Sequence, residues 1–111
     1  MRRTSMLLVA ALAVLAAAVP ATAATPTYKG TVGPGFTIAM AKKPTKAGKI
    51  VLVVSDKSDF HNFHLSGPGV NVKTAVPAIG SKTFRVTLKK GTYRFVCDPH
   101  ASAMKGSFKV S

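Results

Sequence analysis

The sequence is poor in acidic side chains, in cysteine and in large aromatic side chains. Its 111 residues include 3 Asp plus Glu, one cysteine and no tryptophan. Three carboxylates leave little room for paired-carboxylate acid–base chemistry, and a single cysteine excludes an intramolecular disulfide framework. The length allows one domain. Against the 3 acidic residues stand 16 Lys plus Arg, so the formal net charge is +13.

The first 23 residues have the three parts of a secretory signal peptide. Two arginines form a basic start, and an uncharged apolar run follows from Met6 to Val19. Its 14 residues are short for a membrane span, which needs about 20. Ala21 to Ala23 then fit a small-x-small cleavage signal. The sequence therefore predicts a signal helix at 1–23, export to the periplasm or the medium, and a mature domain at 24–111 with no membrane anchor.

Beyond residue 24 the pattern is that of an all-β protein. No helical period of useful length appears, and short β-rich runs alternate with turns rich in Gly, Pro, Asn, Ser and Lys. Such spacing is typical of an antiparallel sandwich or barrel. The aliphatic run Ile50 to Val54 predicts a strand buried on both faces. The other predicted strands are 28–32, 36–39, 61–65, 82–88, 92–97 and 106–110, and the connection from 67 to 80 leaves room for a short edge strand.

The segment Cys97 to Met104 carries the residues with the most chemistry. Cys97, His100 and Met104 offer a thiolate, an imidazole and a thioether at C-x2-H-x3-M spacing. Two sulfur ligands with an imidazole favour copper over calcium or magnesium, which take oxygen ligands. A His2Cys plane with a long axial Met is the blue-copper arrangement, so a second histidine is needed. The alternative is a buried free cysteine with a surface histidine and a core methionine, which leaves an exported thiol unprotected.

The second histidine is either His61 or His64. On a strand, the side chains of His61, Phe63 and Leu65 share one face, which is largely apolar. His64 shares the opposite, polar face with Asn62. The inward histidine near a strand end is the better ligand, so His61 is predicted to bind metal and Asn62 to point outward. A β-bulge would shift the register by one residue and exchange the two histidines.

The segment from Gly91 to His100, followed by Met104 and Gly106, resembles the C-terminal copper loop of plastocyanin-like cupredoxins. The pair His61-Asn62 is similar to the upstream His-Asn pair of that family, and His-Asn-x-His resembles amicyanin-like members, in which the first histidine binds copper. The resemblance implies a cupredoxin-like Greek-key β-sandwich of about 7–8 strands with one type 1 copper ion. The ligand set that it implies is His61, Cys97, His100 and Met104.

The resemblance also implies a function. It indicates a one-electron carrier that cycles between Cu(II) and Cu(I), has no enzymatic activity and exchanges electrons with a redox partner protein. It places the backbone N–H of Asn62 at the Cys97 sulfur, and the position of His100 on a loop makes its ring edge the expected electron exit. An exported copper-binding or delivery protein without a dedicated redox partner is the alternative. Multicopper oxidases and nitrite reductases need further histidine clusters, whereas this chain has 3 histidines.

The basic composition bears on the partners. The mature 88 residues carry a net charge of +11, which predicts a partner with an acidic docking face and a salt-sensitive encounter. The four lysines of 42–49 are either part of that docking or a solvated turn that protects strand edges. A nucleic-acid partner would suit the positive charge, but it does not suit an exported protein. The protein is expected to be a monomer. An apolar docking face around His100 is predicted from Pro99, Ala101, Gly67 and Pro68.

Overall fold

The computed structural model describes residues 10–13 and 24–111. Residues 10–13 have no regular secondary structure, and the rest of the predicted signal helix lies outside the described residues. No helix in the described part has the length and hydropathy that a membrane span requires. The described strands are β1 Thr27–Val32, β2 Ile38–Met40, β3 Gly48–Asp56, β4 His64–Gly67, β5 Val70–Lys73, β6 Gly80–Leu88, β7 Gly91–Val96 and β8 Lys105–Val110, and a 3-10 helix spans Asp98–His100.

The eight described strands form two four-stranded sheets that enclose one core. One sheet has the order β2-β1-β3-β6 and the other the order β5-β4-β7-β8, which confirms the all-β prediction. The described pairs are antiparallel apart from β1 and β3, which run parallel, so a purely antiparallel fold is not what the chain adopts. The reason is the path of the chain. The short β2 returns to the end at which β1 begins, and β3 then starts on the other side of β1.

The longest aliphatic strand is buried on one face. Ile50, Leu52 and Val54 are each 3% exposed or less, whereas Val51 and Val53 are half-buried. The prediction of burial on both faces is therefore wrong. The second sheet covers only the inner face of β3, and the outward valines suit the strand because β-branched side chains fit a pleated surface.

Strand β7 delivers Cys97 to one end of the core. Its inward side chains Tyr93 and Phe95 are buried and stack on aromatic rings at centroid distances of 5.2 and 5.5 Å. Gly106 lies opposite Phe95 in the β7–β8 pair, and a Cβ at Gly106 would collide with the Phe95 ring. The alternation of β7 continues to Cys97, which is buried where the strand ends. The strand thus aims the thiol into the end of the sandwich.

Candidate metal centre

Three side chains that can bind a metal ion converge at this end of the sandwich. His61 precedes β4, Cys97 follows β7, and His100 ends the 3-10 helix. The Cys97 Sγ lies 3.6 Å from the Nδ1 of each histidine, and the two Nδ1 atoms lie 3.1 Å apart. The register of the sheet explains the convergence. His64 of β4 pairs with Val96 of β7, so the segments that precede β4 and follow β7 leave the sheet side by side.

Backbone hydrogen bonds shape the loop that carries Cys97, His100 and Met104. The N–H of His100 donates to the Cys97 carbonyl over 3.0 Å, and the N–H of Met104 donates to the His100 carbonyl over 2.8 Å. The N–H of Cys97 donates to the Met104 carbonyl over 3.0 Å and closes the loop. Pro99 suits the first turn of the helix, where an N–H has no intrahelical partner. The closed loop returns Met104, which is 1% exposed, to the neighbourhood of Cys97.

The three donor atoms fit a soft transition-metal ion. The point equidistant from them lies about 2 Å from each, close to the bonds of about 2.0 Å to imidazole and 2.3 Å to thiolate that zinc forms. Cys97 and His61 are both 0% exposed, so bulk water does not solvate these two donors. No described carboxylate belongs to the cluster. A set of thiolate and imidazole donors favours copper or zinc over magnesium or calcium.

Of the two upstream histidines, the structure places His61 inside this cluster and His64 outside it. His61 is fully buried, whereas His64 begins β4 with a side chain that is 22% exposed. The prediction that Asn62 points outward is wrong, because Asn62 is 2% exposed. Residues 61–63 form no strand, and all three side chains are buried. The chain crosses here from one sheet to the other through the core, so strand alternation does not apply.

Asn62 ties the two loops of the cluster together. Its side-chain oxygen accepts the Asp98 N–H over 2.7 Å, and its amide nitrogen donates to the Asp98 carboxylate over 2.8 Å and to the Thr74 carbonyl over 3.3 Å. Its backbone N–H lies 3.5 Å from the Cys97 sulfur, the contact that the family resemblance implies. Sequence reasoning missed the side-chain bonds because they join residues 12 and 36 positions apart. The signal available in the sequence was that Asn62 directly follows His61, a candidate ligand.

Two exposed phenylalanines surround the imidazole rings. Phe36 lies 5.3 Å from the His61 ring and 5.0 Å from the His100 ring, measured between centroids. Phe60 lies 4.1 and 6.4 Å from the same two rings. The side chains are 64% and 46% exposed, and they form what we call the aromatic collar, Phe36 and Phe60. The collar was not predicted, because residue 36 was expected to begin a strand at 36–39 and no sequence pattern pointed to Phe60.

Part of the predicted docking face lies elsewhere. Gly67 ends β4, and Pro68 contacts the position of Gly91 at the start of β7. The Tyr93 hydroxyl donates to the Pro68 carbonyl over 2.8 Å. These residues belong to the end of the sandwich remote from Cys97, so their assignment to a face around the site is wrong. Gly67 and Pro68 were assigned to the docking face because of their residue types. Strand β4, however, runs away from the site and places them at the opposite end of the sandwich.

All three carboxylates of the chain occur in segments next to the site. Asp56 ends β3, Asp59 follows it by three residues, and Asp98 directly follows Cys97. Burial raises the pKa of Asp56, although the Ser58 N–H, which donates to it over 3.0 Å, opposes this shift. Lysine and arginine side chains, in contrast, lie along strands of both sheets. The charge is therefore unevenly distributed. Apart from the Asp56 carboxylate, every acidic or basic side chain on the strands is a lysine or an arginine, with the exception of His64.

His64 forms an ion pair with Asp98. The Nδ1 atom lies 2.8 Å from the carboxylate, and the side chains are 22% and 41% exposed. Burial disfavours the charged form of His64, but the hydrogen bonds to Asp98 and Asn71 and the charge of Asp98 outweigh it, so the pKa of His64 is raised. Burial likewise opposes the charge of Asp98, but the hydrogen bonds from Asn62 and His64 outweigh it and lower the pKa of Asp98.

The pair predicts a pH-dependent contribution to stability. Because the folded-state pKa of His64 lies above the unfolded value of about 6.5, the contribution is complete below that value and declines as the pH rises through the folded pKa. His64→Gln should therefore lower the free energy of unfolding more at about pH 5.5 than at about pH 8.5, by no more than about 1 kcal/mol for a half-exposed pair. Denaturant unfolding of the metal-free protein measures this, with Lys105→Gln as the control. Equal losses at both pH values would contradict it.

A comparison with protein families finds one match. The sequence model of the family described as copper binding proteins, plastocyanin/azurin family, matches residues 31–111. The match includes β2 to β8, the last two residues of β1 and all three converging donor residues. A search of curated proteins finds no match for the chain.

Solved structures share this fold at low sequence identity. Dithionite-reduced auracyanin from the photosynthetic bacterium Roseiflexus castenholzii is 21% identical with a TM-score of 0.54, and the alignment covers 81% of this chain and 99% of that one. Auracyanin A from Chloroflexus aurantiacus, a "blue" copper protein, is 19% identical with a TM-score of 0.52, covering 78% and 99%. Reduced rusticyanin is 22% identical with a TM-score of 0.60, covering 81% and 82%. These similarities confirm the predicted cupredoxin-like sandwich.

Proposed function

The chain belongs to the plastocyanin/azurin family of copper-binding proteins, and we propose that it is a type 1 copper protein that carries single electrons. The observation that supports this most strongly is the convergence of one thiol and two imidazole nitrogens within 3.1–3.6 Å of one another. Copper, when bound, supplies a one-electron couple between Cu(II) and Cu(I). The protein acts as a carrier rather than as an enzyme.

The chain's own residues hold the metal in a fixed arrangement. His61, Cys97 and His100 would hold the copper ion, and the thioether of Met104 would be a weaker further ligand that tunes the reduction potential. Asn62 ties the two ligand loops together through its two side-chain hydrogen bonds with Asp98, and a third bond anchors it to the Thr74 carbonyl. A site held in this way moves little between its two oxidation states, which keeps electron transfer fast.

Electrons leave and enter through His100. Its ring is partly exposed, whereas His61 and Cys97 are fully buried. The aromatic collar stands beside the His100 ring, and the exposed Pro99 and Ala101 flank it. Apolar side chains around a redox centre exclude water when a partner docks and bring the partner's centre close. The docking surface therefore consists of the collar with the exposed part of the 3-10 loop.

The partner and the cellular location follow from charge and from the N-terminal sequence. A net charge of +11 on the mature 88 residues favours a redox partner with an acidic face and a rate of association that falls with salt. The signal peptide predicted at 1–23 supports export to the periplasm or the medium as a monomer without an anchor. The domain is then the segment 24–111, which begins just before β1.

A copper titration of the mature chain from Ala24 tests the proposed function. We expect binding of one Cu(II), an intense blue absorption that ascorbate bleaches, and reversible return of the colour on oxidation. Fast self-exchange between the two oxidation states should accompany the colour. Tight but colourless binding of one copper ion would overturn the electron-carrier proposal in favour of the delivery protein. A chain that binds no copper at all would contradict both.

The collar predicts a defect in partner docking without a defect in the site. Phe36→Ser and Phe60→Ser should each slow electron exchange with an acidic redox protein about tenfold, which corresponds to about 1.4 kcal/mol of lost apolar contact in the encounter. Stopped-flow mixing measures the rate. Ile79→Ser is the matched control, because Ile79 is 67% exposed and lines a different groove with Asp56, Thr74 and Lys82. Equal slowing by the control variant would contradict a docking role for the collar.

A further inference from the structure

His64 is the histidine that the proposed ligand set leaves unused. Its Nδ1 lies 2.8 Å from Asp98 Oδ1, and its Nε2 lies 2.6 Å from Asn71 Oδ1. Both partners present an oxygen atom to the ring. The doubly protonated, positively charged form of histidine satisfies both with donated hydrogen bonds. Asn71 belongs to the edge strand β5, so the charged ring bridges the edge of the sheet and the loop that follows Cys97.

A continuous chain of hydrogen bonds runs from this ring to the sulfur of Cys97. The second carboxylate oxygen of Asp98 accepts the Asn62 side-chain amide over 2.8 Å, and Asn62 in turn accepts the Asp98 N–H over 2.7 Å. The backbone N–H of Asn62 lies 3.5 Å from Cys97 Sγ. Asn62 is 2% exposed, so its position depends on these bonds. Any change in how His64 holds Asp98 is therefore transmitted to the sulfur.

We propose that His64 is a positioning residue for the copper site, which acts through Asp98 and Asn62 on the Cys97 sulfur and couples its own charge to the reduction potential. The electrochemical part of this inference rests on the proposed function. The coupling between His64 and Asn62 does not, because it belongs to the metal-free chain and can be measured there.

The direction of the effect follows from the charges that surround His64. The imidazolium offsets the negative charge of Asp98, which is the residue next to Cys97. When His64 loses its charge, the uncompensated carboxylate favours the more positive, oxidised state and lowers the reduction potential. Lys73 lies opposite His64 on β5, and the neutral Val96 lies opposite it on β7. Asp98 is the anion among these neighbours, Lys73 is the cation that opposes the charge of the ring, and burial opposes that charge as well.

Reduction of the copper site and protonation of His64 are thermodynamically linked. One electron enters the site from an external one-electron reductant. In the pH range where His64 titrates, a fraction of a proton passes from solvent to a ring nitrogen of His64. By reciprocity, uptake of the electron favours uptake of the proton by as much as the proton favours uptake of the electron. Below this pH range His64 keeps its proton in both states, and the potential no longer depends on it.

The metal-free chain supplies the first test. In a pH titration followed by nuclear magnetic resonance, the backbone amide signal of Asn62 should move with the same midpoint as the ring signals of His64. In His64→Gln this movement of the Asn62 signal should disappear. An Asn62 signal that ignores the His64 midpoint, or that moves in the same way in the variant, would overturn the proposal. This test requires no copper.

The reduction potential of the copper-loaded protein supplies the second test. At pH values where His64 is charged, His64→Gln should lower the equilibrium constant for reduction of the site about three- to tenfold. A tenfold decrease corresponds to a reduction potential that is 59 mV lower for one electron. As the pH rises, the wild-type potential should fall toward that of the variant. Lys105→Gln is the control, because Lys105 lies one strand further along the same sheet, opposite Val96, and removes a positive charge that the hydrogen-bond chain does not include.

The outcomes of the two tests separate the inference from the proposed function. A blue protein whose potential is the same in wild type and in His64→Gln would overturn the inference and leave the electron carrier standing. An equal, pH-dependent shift in Lys105→Gln would also overturn it, since charge alone would then explain the effect. A chain that binds no copper removes the carrier function, and the Asn62 titration then decides the coupling by itself.

Discussion

Cys97→Ala should abolish the blue absorption and the stabilisation of the protein by copper. Cys97 would supply the thiolate ligand when copper is bound, and the bond between thiolate and copper is the source of the intense colour expected of this family. A ligand that binds only the folded state at a hundred times its dissociation constant stabilises that state by about 2.7 kcal/mol. Visible spectra and thermal unfolding with and without Cu(II) measure both effects, and the variant should show neither.

The metal-free proteins separate this loss from a folding defect. Cys97 is 0% exposed, so its truncation should cost the metal-free protein about 1 kcal/mol. Met104→Leu is the matched control, because it removes the other sulfur of the loop with little change in volume. It should keep both the copper and the colour while the reduction potential changes. A Cys97→Ala protein that still turns blue would show that the colour arises elsewhere in the chain.

His61→Ala should weaken copper binding by roughly a hundred- to a thousandfold. Four ligands together supply about 10–16 kcal/mol in structural zinc sites, so the loss of one strong ligand corresponds to an effect of this size. His61 Nδ1 lies within 3.6 Å of both other donors, and no other described His, Cys, Asp or Glu side chain joins the cluster. A competition titration against a chelator of known affinity measures the change, and denaturant unfolding of the metal-free variant checks that it folds.

His64→Ala is the matched control in the same segment of the chain. It also removes an imidazole ring, but from a residue three positions further along the chain, whose side chain is partly exposed and lies outside the cluster. We expect the variant to bind one copper ion within about tenfold of the wild-type affinity, the smaller effect of losing an outer hydrogen-bond partner, and to remain blue. If His64→Ala loses the colour and His61→Ala keeps it, the assignment of the two histidines is reversed.

The two upstream histidines show how far a local pattern can be trusted. Alternation predicted that His61 faces inward, and the structure places it there, but the physical reason differs. Residues 61–63 cross between the sheets without forming a strand, and Asn62 is buried beside His61. Alternation therefore failed for Asn62 in the same segment. The prediction succeeded for His61 because burial of its apolar neighbour Phe63 draws the segment into the core.

The parallel pairing of β1 with β3 could not be read from the sequence either. Each strand was visible as a run of β-branched or alternating residues, and such runs specify which residues share a face. They do not specify which strand lies beside which. The pairing depends on β2, three residues long, which lies at the outer edge of β1 and leaves its other edge to β3. The residue pattern of a single segment carries no information about which strand will lie beside it.

By itself, the sequence determined the all-β class, the alternation that aims Cys97 into the core, and the spacing of Cys97, His100 and Met104 in one loop. These features depend on residues within about ten positions of one another, where chain geometry limits the possible arrangements. The tertiary structure alone decided that the aromatic collar surrounds His100, that Gly67 and Pro68 lie at the far end, and that His64 reaches the sulfur through Asp98. Those contacts join residues 23 or more positions apart, and the pairing of strands across two sheets brings them together.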